Sequence, residues 1–395
     1  MSRVIEEGIL HPERFFKDHG LTKHQVEKAL EHCIRKVEEN LELFKETFPD
    51  AASVNNVYSP VQNDYEWTQG FWTGMIWLAY EMTGNKKFRE VAEIQVETFR
   101  KRIDERLGIN HHDLGFLYTL SCVAAYKLTG NSEAKNIALK AADTLMERFS
   151  KKGEFIQAWG DLNAPDNYRL IIDCYLNLPL LFWASEVTGD QRFYDAAYKH
   201  AKTAMKVVVR EDASTFHTYY FDSETGQPAK GVTAQGYSDD SCWARGQAWG
   251  VYGFPLSYLY TKDESFMEMY HKVTQYFLNR LPEDYIPYWD LMFTEGDQYR
   301  DSSAASIAIC GLLEMDKWLP LDHPMKNIYQ STAMHILKSL IENYTTINHS
   351  ESNGLLLHAV YSIPHNVGVD ECNIWGDYYY MEALVRVLKD WELYW

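Results

Sequence analysis

Two aspartates stand where a carboxylate is costly. Asp173 lies in the stretch Asp166 to Pro179, with Ile171, Ile172 and Cys174 beside it and Leu170 and Leu176 close by. A carboxyl in apolar surroundings loses hydration, which disfavours its charged form and raises its pKa. An acid that keeps its proton near neutral pH is able to donate it. Asp113 opens a second apolar run, His111-His112-Asp113-Leu114-Gly115-Phe116, beside two imidazoles. A lone buried Asp that hydrogen-bonds a helix end would satisfy either stretch equally well. The pair is what points to chemistry, because two carboxylates among tryptophans and histidines suit acid/base work on a sugar.

Other side chains read as companions of this pair. Trp67, Trp159 and Trp249 offer flat apolar faces for sugar rings, or are core aromatics. Trp159, in the aperiodic segment Gln157-Ala158-Trp159-Gly160-Asp161, is the best placed of them. Arg245 lies in the apolar run Cys242 to Trp249, where a permanent charge must meet an anion. Its partner is a ligand, or else Asp239 or Asp240. His112 and His217 are either satisfied structural histidines or ligand contacts. The compact His111-His112-Asp113 is no familiar zinc pattern and no Asp-rich calcium loop is present, so no metal is expected. No nucleophile elbow or phosphate loop appears either.

These residues need a scaffold that brings loops together. An apolar run from Trp67 stops at Thr83-Gly84-Asn85, where glycine supplies a left-handed helix cap, and an amphipathic run follows from Lys86 to about Arg102. The pattern recurs from His112-Asp113 to Thr129-Gly130-Asn131, from Asp166 to Thr188-Gly189-Asp190, and from Cys242 to Thr261-Lys262-Asp263. Further apolar runs open at Tyr299 and Trp375, and Lys23 to Phe48 reads as an amphipathic helix. Six apolar helices alternating with amphipathic ones predict an all-α fold, an (α/α)6 barrel of six helical hairpins. Short β-strands are expected around Phe216 to Asp222 and Leu355 to Tyr361. The unusual residues precede the inner helices, so the functional face is expected at their amino ends. One domain spanning residues 1–395 is the economical division.

With 38 basic against 56 acidic residues, the formal charge of -18 argues against nucleic acid or an anionic membrane as partner. An acidic ligand would need a local positive pocket. The amino end, Met1 to Gly8, has no apolar core of a leader, and no run is long enough to span a bilayer, so a cytoplasmic protein is expected. The six cysteines are scattered without a Cys-x-x-Cys pair, and read as small core residues. A monomer or weak dimer is expected.

Taken together, the motifs resemble the unsaturated glucuronyl hydrolases of glycoside hydrolase family 88. The resemblance runs from about Trp67 to Tyr380. It is carried by Trp67-Thr68-Gln69-Gly70-Phe71-Trp72, His112-Asp113-Leu114-Gly115-Phe116, Asp166-Asn167 with Asp173, Ser238-Asp239 with Trp243 to Gly250, and Asn373-Ile374-Trp375-Gly376-Asp377-Tyr378. It implies an (α/α)6 barrel, no cofactor, and a substrate bearing a 4,5-unsaturated uronic acid at the non-reducing end of a lyase-generated oligosaccharide. It implies Asp173 as the general acid/base and Asp113 as the second carboxylate. Trp67, Trp159 and Trp249 would wall the ring, while His112, His217, Gln235 and Arg245 would bind hydroxyls and carboxylate.

The loop Tyr361 to Gly368 departs from relatives that place serines and a lysine there to recognise sulfate. Val367 holds the lysine position, while Ser362 and His365 remain as donors. Unsulfated hyaluronan- or chondroitin-type disaccharides are therefore the expected substrates. The alternatives are an unsaturated rhamnogalacturonyl hydrolase, an ordinary inverting glycosidase on the same barrel, and an oligosaccharide-binding helical protein without turnover.

Overall fold

The chain alternates inner and outer helices until they close a ring. The computed structural model describes residues 4–395, so Met1 to Arg3, part of the polar amino end, lie outside the described residues. The helices are α1 (Lys23–Asn40), α2 (Gln69–Thr83), α3 (Lys86–Asp104), α4 (Leu114–Tyr118), α5 (Ala124–Thr129), α6 (Ser132–Met146), α7 (Leu178–Thr188) and α8 (Gln191–Val208). They continue as α9 (Ala244–Thr261), α10 (Glu264–Asn279), α11 (Ser302–Trp318), α12 (Pro324–Ser339) and α13 (Ile374–Leu388). One π-turn, Thr119–Val123, joins α4 to α5 into a single inner rod. The inner ring runs α2, α4–α5, α7, α9, α11, α13 and back to α2. Helices α3, α6, α8, α10 and α12 follow their inner partners, and α1 covers α13, which completes the sixth pair. This is the (α/α)6 barrel that the alternation of apolar and amphipathic runs predicts.

The hairpin turns have a common local cause. Gly84, Gly130 and Gly189 each end an inner helix in the left-handed conformation, at φ of 67°, 72° and 74°. Asn85, Asn131 and Asp190 then cap the next helix by accepting from its first backbone N–H groups. At the fourth hairpin Lys262 takes the same conformation at φ 53° without being glycine, and Asp263 caps α10.

Among the described residues, nine short strands decorate the loops. The pairs are β1 (Phe48–Pro49) with β2 (Pro60–Val61), β3 (Phe149–Ser150) with β4 (Phe155–Ile156), and β8 (Ala359–Ser362) with β9 (Val367–Glu371). A three-stranded antiparallel sheet is built from β5 (Arg169–Ile171), β6 (Thr218–Phe221) and β7 (Pro228–Val232). Two expectations are corrected. The helix from Lys23 stops at Asn40, since Phe48 and Pro49 pair with β2 and proline cannot extend a helix ladder. The run from Asp166 is not one helix: Arg169–Ile171 is a strand, Ile172–Leu176 a 3-10 turn, and α7 begins only at Leu178. Pro179 sets that start, because proline is favoured in a helix's first turn and breaks its interior. The β-branched pair Ile171-Ile172 leads into this turn from the edge of the β6 strand.

Candidate active site

The strand-to-turn junction carries Asp173 to the mouth of the barrel, and the start of α4 carries Asp113. Asp113 occupies the N-cap position of α4 but makes no capping bond. Asn177 does that work instead: its Oδ1 accepts from Phe116 N at 2.8 Å, and its Nδ2 donates to Asp113 Oδ1 at 3.3 Å. Asn177 also reaches the backbone carbonyl of Asp173 at 3.5 Å. This arrangement releases the Asp113 carboxylate from its helix. His112 Nε2 then lies 3.3 Å from both Asp113 Oδ1 and Asp173 Oδ1.

Burial decides the electrostatics. Asp113 is 2% exposed and Asp173 17% exposed, so Asp173 is the carboxylate that a ligand reaches. Desolvation raises Asp173 from its ordinary value to about 7, although the positive charge of Arg245 works against the shift. Asp113 is raised well above its ordinary range by burial and then by the charge of Asp173. Two carboxylates this close do not both ionise readily, so the pair holds a proton near neutral pH. Burial pushes His112 well below its ordinary value, which keeps the ring neutral. Neither His112 ring nitrogen, nor Asp173 Oδ1, has a hydrogen-bond partner among the described residues. Unsatisfied buried polar atoms grouped in this way mark a place for a polar ligand. The donor atoms of His112, Asp113 and Asp173 lie within 4.8 Å of one another, so these three are also the residues that would hold a cation.

His111 and Trp159 form one wall. The His111 Nδ1 accepts from Asp113 N at 3.0 Å, so its protonated Nε2 donates to the Gly108 carbonyl at 2.8 Å. That fixes the ring for Trp159 to stack on it, with centroids 4.4 Å apart and planes 18° apart. Arg148 holds the Trp159 loop by donating to the carbonyls of Gln157 at 2.8 Å and Gly160 at 2.9 Å, and to that of Ala158.

Arg245 anchors the opposite wall. Its partners are not Asp239 or Asp240: Nη1 lies 3.5 Å from Asp301 Oδ2 and donates to the Val360 carbonyl. Nη2 donates to Gln235 Oε1 at 2.5 Å and to the Tyr361 carbonyl at 2.8 Å. The guanidinium lies between Trp243 and Trp375, 4.4 and 4.8 Å from their ring centroids. Four of its five N–H groups are thus engaged by protein, and Arg245 acts through its field and by holding Gln235. The other end of Gln235, Nε2, reaches His217 Nε2 at 3.5 Å, and His217 packs tilted against Trp243 at 4.9 Å. Replacing Arg245 by Lys keeps the charge and releases Gln235 and two buried carbonyls. The expected result is a KM raised about tenfold with kcat within about threefold, the signature of lost uniform binding. An unchanged KM in steady-state assays would reduce Arg245 to a scaffold residue.

The remaining candidates are distributed unevenly. Trp67 is half-buried, donates from Nε1 to the Tyr361 hydroxyl at 3.0 Å and stacks on Trp375 at 5.2 Å. Trp249 is 1% exposed, further along α9, and packs on Phe116 at 5.5 Å and Tyr379 at 5.7 Å. It belongs to the floor of the barrel rather than to the wall. Ser362 and His365 bond to one another at 2.7 Å at the tip of the β8–β9 hairpin. Asn177, His111, Trp243, Tyr361 and Asp301 belong to the site geometry but were not among the sequence candidates. Asn177 offered one signal, a lone amide just before Pro179 in an apolar run.

Comparison with known proteins agrees with this fold. The sequence profile of Glycosyl Hydrolase Family 88 matches residues 41–392. The unsaturated chondroitin disaccharide hydrolase of Streptococcus pneumoniae is 54% identical over 396 residues, covering 100% of both chains. The unsaturated glucuronyl hydrolase of Bacillus sp. (strain GL1) is 42% identical over 359 residues, 90% of this chain and 95% of that one. The crystal structure of unsaturated glucuronyl hydrolase from Streptococcus agalactiae superposes with a TM-score of 0.98 at 52% identity, covering 100% of each chain. A variant of that enzyme complexed with dGlcA-GalNAc6S gives a TM-score of 0.90 at 49% identity, covering 100% of this chain and 99% of that one. Fold and paired carboxylates define a glycoside hydrolase built on an (α/α)6 barrel. The chain belongs to glycoside hydrolase family 88.

Proposed function

We propose that this chain is an unsaturated glucuronyl hydrolase that releases the 4,5-unsaturated uronic acid from the non-reducing end of lyase-generated glycosaminoglycan oligosaccharides. The observation that carries the reading is a pair of buried carboxyls, Asp113 and Asp173, each 3.3 Å from the imidazole of His112 and in the field of Arg245, which holds Gln235 beside His217. A uronate needs a positive field in a protein of charge -18, and the Arg245 wall supplies one. A vinyl ether needs a proton at C4, and an acid with a pKa near 7 supplies that.

The reaction is a hydration. Asp173 gives its proton to C4, and positive charge develops at C5, which the ring oxygen stabilises. The Asp173 carboxylate, now charged, accepts a proton from a water whose oxygen bonds to C5. The resulting hemiketal opens by breaking the C5 bond to the ring oxygen, and the free C1 hemiacetal expels the aglycone as an alcohol. One water is consumed and Asp173 ends protonated. Asp113 holds sugar hydroxyls and keeps the proton on its neighbour. The stacked His111–Trp159 wall and Trp67 confine the ring.

The test follows the ultraviolet absorbance of the conjugated double bond in an unsaturated, unsulfated hyaluronan disaccharide, with saturated and pectic glycosides as controls. Loss of absorbance supports the reading; cleavage of saturated glycosides instead would replace it with ordinary glycosidase chemistry. The pH profile carries a further expectation. Since the acid must be protonated, kcat/KM is expected to be level below about 7 and to fall up to tenfold per pH unit above it. A rate that rises with pH from 6 to 9 would exclude Asp173 as the acid.

The cysteines, all free and buried, favour a reducing compartment, and we place the enzyme in the cytoplasm as one catalytic domain of residues 1–395. No described helix is long and apolar enough to cross a membrane. Large exposed apolar side chains are scattered along the chain, as suits a monomer or weak dimer.

A further inference from the structure

The cluster of His112, Asp113 and Asp173 has a second use that its hydrogen bonding leaves open. His112 is fully buried, yet neither ring nitrogen has a hydrogen-bond partner among the described residues, and Asp173 Oδ1 has none either. A neutral imidazole in that condition keeps one nitrogen lone pair free. The spacing is that of ligands around a small cation. Zn²⁺ takes imidazole nitrogen at about 2.0–2.1 Å and carboxylate oxygen at about 2.0–2.2 Å, so neighbouring corners of its tetrahedron stand about 3.3 Å apart. His112 Nε2 lies 3.3 Å from Asp113 Oδ1 and 3.3 Å from Asp173 Oδ1. The three ligand atoms all lie within 4.8 Å of one another, and among the described residues no other three His, Cys, Asp or Glu side chains meet in this way.

The surroundings suit an ion as well. Asn177 Nδ2 donates to Asp113 Oδ1 at 3.3 Å, and Asp113 N donates to His111 Nδ1 at 3.0 Å, so this ligand is oriented from outside the cluster. Asp173 is the partly exposed member, which leaves a fourth corner toward the mouth and a route in. The positive charges of Arg245 and Arg148 reach the carboxylates, and that of Arg245 is offset by Asp301 at 3.5 Å. Two carboxylates balance a divalent cation, and a chain of formal charge -18 draws one in. One imidazole with two carboxylates selects zinc over Mg²⁺ and Ca²⁺, which prefer oxygen ligands alone.

We infer that His112, Asp113 and Asp173 form a binding site for a zinc-type divalent cation, and that the bound ion is an inhibitor rather than a cofactor. A carboxylate that ligates a metal is deprotonated, so the ion releases the proton of Asp173 to solvent and leaves C4 without a donor. It also takes the place of the sugar hydroxyls at Asp113, so that ion and substrate exclude one another. Binding follows from the geometry alone, whereas inhibition rests on the proposed reaction.

The experiment titrates the full chain, without substrate, with Co²⁺ as a coloured stand-in for zinc. One equivalent is expected to give the intense visible absorption of a four-coordinate ion, and one equivalent of Zn²⁺ to abolish it. Asp113→Asn and Asp173→Asn preserve shape and are each expected to weaken binding at least about tenfold. His112→Gln is expected to remove the band, while His349→Ala, at an exposed imidazole outside the cluster, leaves it unchanged. Should His112→Gln fail to fold, the two Asn variants decide. In steady-state assays about 0.1 mM Zn²⁺ is expected to raise the apparent KM for the unsaturated disaccharide at least about tenfold with kcat unchanged, and EDTA to restore it. No band, or a band that survives the cluster substitutions, would overturn the site. Full activity with the band saturated would overturn the inhibition. A band in a chain that turns over no unsaturated substrate would uphold the site and overturn the proposed reaction instead.

Discussion

Asp173→Asn is expected to lower kcat about 10³-fold while the protein remains folded, because removing a positioned general acid/base typically costs 10²- to 10⁴-fold. The substitution removes the proton that C4 requires and the base that activates water. It preserves shape, and Asn keeps the neighbouring backbone contacts. Stability gives the second half of the test. The folded Asp173 is raised from 3.8 to about 7, so the folded state binds this proton more tightly than the unfolded chain does. That contribution is fully present below the unfolded value near 3.8 and is lost as pH rises through about 7. Asn carries no such dependence. The Tm of Asp173→Asn relative to the parent is therefore expected to climb between pH 5 and pH 8. Substantial turnover by the variant would end the assignment of Asp173, and a Tm difference independent of pH would show that its carboxyl is not held protonated by burial.

Gly115→Ala is expected to be nearly as damaging, through packing rather than chemistry. A Cβ at Gly115 would fall 2.3 Å from Asn177 Cα, 2.7 Å from its carbonyl oxygen and 2.8 Å from its Oδ1. Two of these atoms are backbone at the start of an inner helix and cannot swing aside. The cost is expected at the upper end of overpacking penalties, about 3 kcal/mol. Displacing Asn177 also loosens its bonds to Phe116 N and Asp113 Oδ1, so kcat is expected to fall at least about tenfold through lost positioning. Gly84→Ala is the control. Nothing lies within 4 Å of a Cβ there, so only the left-handed φ of 67° is penalised, at about 1 kcal/mol, and kcat is expected to hold. Urea titration and steady-state rates check both variants. A Gly115→Ala enzyme with parental stability and rate would show that the approach of Asn177 to α4 is not constrained.

The barrel was legible because its signals are local. A Thr-Gly-Asn or Thr-Gly-Asp turn between an apolar and an amphipathic run contains both the helix stop and the next helix start, and the structure uses all of those residues at three hairpins. The fourth, with Lys262 in place of glycine, was legible only from its flanking Thr and Asp. The segment around Asp173 was misread as a helix because apolar periodicity does not separate a short buried strand from a buried helix. The strand forms because β6, nearly fifty residues later in the chain, offers it a ladder.

The site divides in the same way. Burial of Asp113 and Asp173 follows from their apolar neighbours, and the sequence alone determined that these two carboxylates are set off from the rest, that Arg245 needs an anion, from a ligand or from the protein, and that the loops before the inner helices bear the unusual side chains. Only the tertiary structure decided that one imidazole, His112, lies 3.3 Å from both carboxylates. It likewise decided that Asn177 caps α4 in place of Asp113, and that Arg245 meets Asp301 and the Val360 and Tyr361 carbonyls rather than Asp239 or Asp240. The reason is physical. Propensity, capping and burial act over a few residues and leave their mark in the chain order, whereas a hydrogen bond between residues 56 to 116 positions apart depends on how the ring closes.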